Sequence, residues 1–229
     1  VSATAPVCPL SNAVTPSATQ VLCQGATAAT LTNTTTTAGS AGSPTLSYQW
    51  YYNTTNSNTI SGATLISGAT SDTYTPATTS DEVGDRYYFC VGYATDNDCN
   101  QDNTVQTLAS NPVKITVQSS ISNNTIGSAQ EICTSTAPSQ LNGSTPTGAT
   151  GVYTYLWESS TAGATSGFSA ASGTNNLANY IPGTLTQTTW FRRTVTSGSC
   201  TDVTAAVQVI VNPVIADNTV ASAQSICTG

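Results

Sequence analysis

Hydrophobic residues in this chain gather in short alternating bursts rich in Val, Ile, Thr, Tyr and Trp, separated by Gly, Asn, Ser and Pro. Alternation of period two, bounded by turn formers, predicts β-strands. The clearest bursts are residues 46–52, 87–89 and 113–117 in the first half and 152–157, 190–191 and 207–211 in the second. Helical periodicity is hard to find, and stretches of Ala-Glu-Leu-Lys type are missing. The expected fold class is all-β.

A short motif recurs three times. Gln20-Val21-Leu22-Cys23, Gln130-Glu131-Ile132-Cys133 and Gln224-Ser225-Ile226-Cys227 all read Gln-x-aliphatic-Cys, at spacings of 110 and 94 residues. Periods of that size mean tandem whole domains. The later copies extend back to Asn124-Thr125-Ile126 and Asn218-Thr219-Val220. Within each period come an aliphatic (Leu31, Leu141), an aromatic strand carrying Trp50 or Trp157, a Tyr-x-Pro (Tyr74, Tyr180), and a second aromatic strand with Phe89 or Phe191. A last alternating strand closes the unit. Trp50, Trp157, Phe89 and Phe191 are the expected core. A buried Trp on an early strand facing an aromatic strand is the pattern of tandem immunoglobulin-like β-sandwiches. The expected domains are residues 12–118 and 122–214. Residues 1–11 would be a linker or the end of a preceding domain, and 215–229 the opening strand of a third, incomplete one.

Composition narrows the function classes. The 229 residues include 44 Thr and 28 Ser, with a net charge of -7 and no His. Disorder is the competitor for so hydroxyl-rich a chain, but the clustering of its hydrophobics argues for folding. The acidic balance speaks against nucleic acid as a partner. No apolar run is long enough for membrane insertion. Without His, Ser-His and Cys-His catalytic arrangements are excluded.

Seven cysteines without Cys-x-x-Cys spacing argue for disulfides in an oxidising exterior. Cys133 and Cys200 are the two inside the second domain and are expected to pair. For the first domain, Cys23–Cys99 with Cys8–Cys90 is preferred on spacing, and Cys23–Cys90 stays open as the rival. Cys227 is unpaired within the chain.

Cys23-Gln24-Gly25, Tyr48-Gln49-Trp50-Tyr51, Ile66-Ser67-Gly68-Ala69-Thr70 and Tyr74-Thr75-Pro76 together resemble the immunoglobulin-like repeats of very large secreted Bacteroidota surface proteins. The second domain, with Tyr153-Thr154-Tyr155-Leu156-Trp157-Glu158-Ser159-Ser160 and Phe191-Arg192-Arg193 ahead of Ser197-Gly198-Ser199-Cys200, is similar to the commonest repeat of that group. The first domain departs from it by carrying Cys8 and Cys90. The resemblance implies export by the type IX system and a place among gliding-associated adhesins and other cell-surface filaments.

Candidate chemistry is sparse. Asp96, Asp98 and Asp102 place oxygens at alternate positions as calcium loops do, but Gln101 and Thr107 stand where the helical-hand loop needs Gly and Glu. A solvated loop is the plainer reading; no metal site is assigned, and calcium is the one cofactor the pattern admits. Asp81, Glu82 and Asp85 lie too close together to flank a glycosidic bond, and are read as shaping a turn. Tyr51, Tyr52 and Tyr93 would form a sugar-stacking platform if they reached the surface. Arg192-Arg193 is expected to decorate a strand edge. Asn33, Asn53, Asn123 and Asn142 open Asn-x-Ser/Thr patterns.

The expected function is therefore that of a structural or adhesive segment in a long extracellular repeat protein, a cell-surface stalk or filament with no enzymatic activity. Its partners would be adjacent repeats or other copies of the protein, and surface glycans. The alternatives are a carbohydrate-binding module of a secreted multidomain enzyme, which needs an exposed aromatic row, and a self-assembling sheath or surface-layer subunit, which needs extensive lateral contacts.

Overall fold

A computed structural model of the chain describes residues 10–37, 45–95, 106–217 and 219–220. They form two compact units. Unit 1 holds the described residues up to Ser120 together with Gly148–Val152 and Ser197–Cys200; unit 2 holds the remainder. Both units are β-built, and the single helical piece among the described residues is a 3-10 turn at Ser80–Glu82.

Unit 1 contains strands β1 (Leu10–Thr15), β2 (Gln20–Cys23), β3 (Leu31–Thr37), β4 (Thr45–Asn53), β5 (Thr64–Leu65), β6 (Thr73–Tyr74), β7 (Gly84–Thr95), β8 (Gln106–Ala109) and β9 (Val113–Gln118). They make two layers, β1-β3-β6 against β2-β9-β7-β4-β5, with β8 on β7. The pair β2–β9 is parallel, and the others are antiparallel. The core lies between the layers: Val14 and Leu31 from one, Trp50, Tyr88, Cys90, Val113, Ile115 and Val117 from the other. The alternation of β9, buried at Val113, Ile115 and Val117 and half-buried between, is the period-two signature of a strand with one face inward.

Unit 2 repeats the plan with β10 (Gln130–Cys133), β11 (Thr154–Ser160), β12 (Ser169–Ala170), β13 (Thr189–Ser197), β14 (Cys200–Val203) and β15 (Val207–Asn212), the turn Ser197–Cys200 that joins β13 to β14 falling in unit 1. Its sheet runs β10-β15-β13-β11-β12, with β14 on β13 and β10 parallel to β15. The facing layer is reduced to isolated bridges, among them Ile126↔Gly143 and Leu141↔Tyr180. They match the pairs Val14↔Asn33 and Leu31↔Tyr74 of unit 1. The fold is thus a pair of immunoglobulin-like sandwiches, in which Asn12-Ala13-Val14 answers Asn124-Thr125-Ile126.

The recurring Gln has a structural reason. The Gln20 side chain accepts from Ala29 N at 2.8 Å and donates to Ala29 O at 3.5 Å. Gln130 does the same to Ser139, at 2.8 and 3.0 Å. Each amide therefore clamps a backbone nine residues on, and satisfies two groups a loop would leave open.

Three sequence expectations are corrected here. Phe89 is buried, but not beside Trp50: it stacks on Tyr51 at 5.6 Å in a second cluster with Val91 on the opposite face of the sheet. The register sets Trp50 against Cys90 and Trp157 against Arg193. Tyr88, two positions before Cys90, is therefore the counterpart of Phe191. Arg192-Arg193 lies on the central strand β13, not on an edge, and Arg193 is fully buried. The cysteine pairing also differs. The bond joins Cys23 to Cys200, while Cys90 and Cys133 are free. So Cys133–Cys200, Cys23–Cys99, Cys8–Cys90 and Cys23–Cys90 are not formed. Cys133 ends β10 beside Asn212, beyond the Thr189 end of β13, whereas Cys200 follows its Ser197 end. Eight rises of about 3.3 Å put those ends roughly 26 Å apart, several times the Cα separation a disulfide tolerates.

Candidate functional site: the cysteine seam

In unit 1 the end of β2 and the end of β9 lie side by side, with Cys23 opposite Gln118. The chain turns after Cys23 through Gly25, at φ 83°. Gln24 N donates to Gln118 O at 2.7 Å and Gly25 N to Thr78 O at 2.8 Å. Onto this corner comes the tip of the β13–β14 hairpin. Cys200, fully buried, bonds Cys23 with Cα atoms 4.9 Å apart. Its Sγ lies 3.3 Å from Ser119 O. Gln118 Oε1 accepts from Ser199 N at 2.8 Å and from Ser199 Oγ at 2.9 Å. A Cβ on Gly198, whose φ is 58°, would stand 2.4 Å from Gln118 Oε1, so the left-handed backbone favours glycine here and a side chain would push the Gln118 amide aside. Ala149 N donates to Ser119 O and Oγ, and Thr150 Oγ1 meets Ser197 Oγ at 2.8 Å. The bond spans 177 positions of sequence and joins the first sequence repeat to the second. Closing a loop that long contributes about 5 kcal/mol in the chain-entropy argument.

Among the described residues two cysteines are free, and they differ. Cys90 is buried beside Trp50, and burial pushes its thiol up to about 12. Cys133 is exposed at the end of β10.

Unit 2 holds the most heavily bonded side chain among the described residues. Arg193 donates from Nε and Nη2 to Asn124 Oδ1 at 3.0 and 2.8 Å, from Nη1 to Ala178 O at 2.8 Å, and from Nη2 to Ser144 O at 2.9 Å. Its guanidinium lies 5.2 Å from the Tyr155 ring centre and 5.9 Å from that of Trp157. Asn124 is oriented by Asp202, whose Oδ2 accepts its amide at 2.8 Å. Burial pulls the arginine pKa down from its ordinary value, yet a guanidinium keeps its charge inside proteins. The signal was in the sequence: Phe191, Arg193 and Val195 share one phase of β13, so period two alone places Arg193 inward.

The remaining candidates fall as follows. Trp50 and Trp157 are fully buried, each donating Nε1–H at 2.9 Å, to Ser71 O and Leu177 O. Trp50–Tyr74–Tyr88 and Trp157–Tyr180–Phe191 are matching ring triads, with successive centres 5.6–5.8 Å apart. Tyr51 is buried and Tyr52 carries Arg86 over its ring at 4.5 Å, so the proposed platform of Tyr51, Tyr52 and Tyr93 does not form an exposed row. A surface groove of unit 2, of 470 Å³, is lined by Gln140, Thr174, Leu177, Ala178, Asn179 and Ile181, with no ring among them. Glu82 pairs with Arg86 at 3.2 Å, and Asp85 with Lys114 at 2.8 Å. The hydrogen bond from Lys114 chiefly holds the Asp85 carboxyl below its usual range. Asn33 is buried, which removes its glycosylation pattern from the surface. Asp96, Asp98, Asp102, Cys8, Cys99, Cys227 and Ile226 lie outside the described residues. Among the described residues no group of three or more Cys, Asp or Glu side chains gathers to hold a metal, and no helix is long and apolar enough to cross a membrane.

Residues 122–213 match a family described as a domain of unknown function, DUF8696. No curated protein matches the chain. Among solved structures the chain is similar to a piece of titin, at 12% identity and a TM-score of 0.46, over 90% of this chain and 68% of that one. It is also similar to immunoglobulin domains 1–5 of Sidekick-1, at 10% identity and TM-score 0.43, over 90% and 39%. The tandem immunoglobulin repeats of Dlar match at 9% identity and TM-score 0.32, over 88% and 98%.

Proposed function

We propose that this chain is a structural and adhesive segment of a long extracellular repeat protein, of the kind whose immunoglobulin-like repeats its motifs resemble in Bacteroidota. One observation carries the reading. The Cys23–Cys200 bond ties one sequence repeat to the next, instead of closing a ring inside either. Disulfides persist in oxidising surroundings, and a bond between successive repeats suits a protein whose task is to hold sandwiches in series under load. The start of the third repeat supports it. Asp217 has φ 57°, and its counterpart Asn123 has φ 56°. Ile215 is 88% exposed where its counterpart Ile121 is 8% exposed. A further sandwich would cover such apolar positions. The test is immunolabelling of intact and permeabilised cells of the organism that makes the protein, with serum raised against this chain. Labelling of intact cells is expected, on polypeptides far larger than 23.3 kDa. Signal seen only after permeabilisation overturns the reading.

A further inference from the structure

Cys133 occupies the same seat as Cys23. Each ends the strand that opens its repeat, in parallel register with the last strand: Cys23 opposite Gln118, Cys133 opposite Asn212. After each, the next amide returns to that last strand, Gln24 N to Gln118 O at 2.7 Å and Thr134 N to Asn212 O at 2.9 Å. The following residue is left-handed in both, Gly25 at φ 83° and Ser135 at φ 60°. Its amide donates to the loop that leads into the central strand, to Thr78 O at 2.8 Å ahead of β7 and to Leu185 O at 2.7 Å ahead of β13. The seat at Cys23 is filled by the turn cysteine of the repeat that follows it. The matching cysteine at Cys133 is free and exposed.

We infer that Cys133 is the acceptor of a second inter-repeat disulfide, from the cysteine of a Ser-Gly-Ser-Cys-type hairpin turn in a following repeat of the same polypeptide. The inference rests on the continuing-repeat reading above for its setting. Two thiols lose two protons and two electrons as the sulfur–sulfur bond forms. A glutathione-type disulfide takes up both and departs as two thiols. Cys90, sealed in its core, has no part in the exchange. The bonds would then run as a ladder along the protein, each repeat receiving from the next at the end of its first strand and giving from its hairpin turn. The partner turn need not find Gln118 again, because Asn212 stands in its place.

The test uses residues 1–215 of the chain, continued by a copy of residues 122–213 and folded in a glutathione redox buffer. Unreduced peptide mapping should find Cys23 with Cys200, and Cys133 with the turn cysteine of the added copy. Replacing that turn cysteine by Ser should return Cys133 to alkylation. Recovery of Cys133 as a thiol or a glutathione adduct, while the added Trp is shielded from quencher, overturns the inference. So does a bond from Cys133 to any other cysteine. A second variant covers failure of the added copy to fold. Cys23→Ser in the 229-residue chain frees Cys200 and offers the same turn between molecules. Disulfide-linked oligomers on a non-reducing gel, abolished by a further Cys133→Ser, support the inference; monomer alone overturns it. Neither experiment depends on where the protein resides, so a failed bond leaves the surface-repeat reading standing.

Discussion

The two sandwiches solve one packing problem with opposite chemistry. In both, the position facing the buried Trp on the neighbouring central strand points into the core, and its backbone is held alike. Cys90 N donates to Ser110 Oγ at 3.1 Å, and Arg193 N donates to Thr204 Oγ1 at 3.0 Å. Unit 1 fills the position with a small thiol, and on β3 of the facing layer Asn33 and Thr35 are buried and bonded to each other at 2.9 Å. Unit 2 fills it with a guanidinium. The residue corresponding to Asn33 is Gly143, whose added Cβ would lie 1.8 Å from Arg193 Nη1. Asn12, the counterpart of Asn124, has no cation to bind, and its amide donates instead to Cys90 O and Leu108 O, each at 2.8 Å. A buried charge is costly unless carbonyls and rings replace its water. Here Asn124, Ala178, Ser144 and two aromatic faces do so. The lesson is that the scaffold fixes where an inward residue goes, while its neighbours decide which residue can go there.

The largest effect should come from forcing one solution into the other unit. Cys90→Arg drives a guanidinium into Asn33 and Thr35, with no carbonyl cage to receive it. It should cost on the order of 4 kcal/mol or more, as expected for an uncompensated buried charge with overpacking. Adding Asn33→Gly opens the space that Gly143 provides in unit 2 and should recover part of that loss. Urea unfolding followed by Trp fluorescence and far-UV dichroism measures both. If Cys90→Arg is neutral, the neighbours do not set the choice.

A smaller effect tests the cage from within. Asn124→Ala removes the oxygen that accepts two of the guanidinium donors, and leaves Asp202 without the amide it orients. The expected loss is about 2 kcal/mol, the range for a buried donor stripped of its acceptor. Asn12→Ala in unit 1 takes away only neutral partners and should cost about half as much. Equal losses would show that the charge on Arg193 adds nothing to the demand for its acceptor.

Much of this was legible from the pattern of residues, and the failures have physical causes. The alternating last strands place themselves because each has one dry face, and the Trp strands and Tyr-x-Pro turns are marked by their aromatics. The run Tyr87-Tyr88-Phe89-Cys90-Val91 is apolar throughout. A strand buried on both faces shows no phase, so matching Phe89 to Phe191 by aromatic likeness slipped by one residue. The charge of Arg193 argues for the surface, whereas its phase, shared with Phe191 and Val195 on either side, marks the inward face. The first copy of the Asn motif, Asn12-Ala13-Val14, was hidden by two extra residues before Gln20. The disulfide was misassigned because cysteine spacing carries no information on which end of a strand each sulfur occupies. Once the register of β13 is known, Cys133 and Cys200 are at opposite ends and the pairing is excluded.

The smallest effect concerns the other arginine of the pair. Arg192 points to the opposite face of β13 from Arg193 and meets Glu158 in a two-pronged contact, Nε to Oε2 at 2.9 Å and Nη2 to Oε1 at 3.1 Å. Thr194 Oγ1 donates to the same carboxylate at 3.0 Å. The hydrogen bonds from Arg192, ahead of those from Thr194, hold the Glu158 carboxyl below its ordinary range. A carboxyl whose folded pKa is depressed binds its proton more readily in the unfolded chain. Its contribution is therefore complete above the unfolded value of about 4.3 and fades as pH falls through the lower folded value. Both partners are partly open to solvent, and screening limits the pair to less than about 1 kcal/mol at neutral pH. Glu158→Gln should therefore be slightly less stable than the parent at pH 7 and converge with it as pH drops below about 4. The gap should also narrow as salt is added. Arg193, caged by neutral acceptors away from solvent, should show neither dependence over that range. A gap for Glu158→Gln that persists unchanged into acid would mean that the carboxylate charge is not what Arg192 holds, and the contrast between the two adjacent arginines would then rest on packing alone.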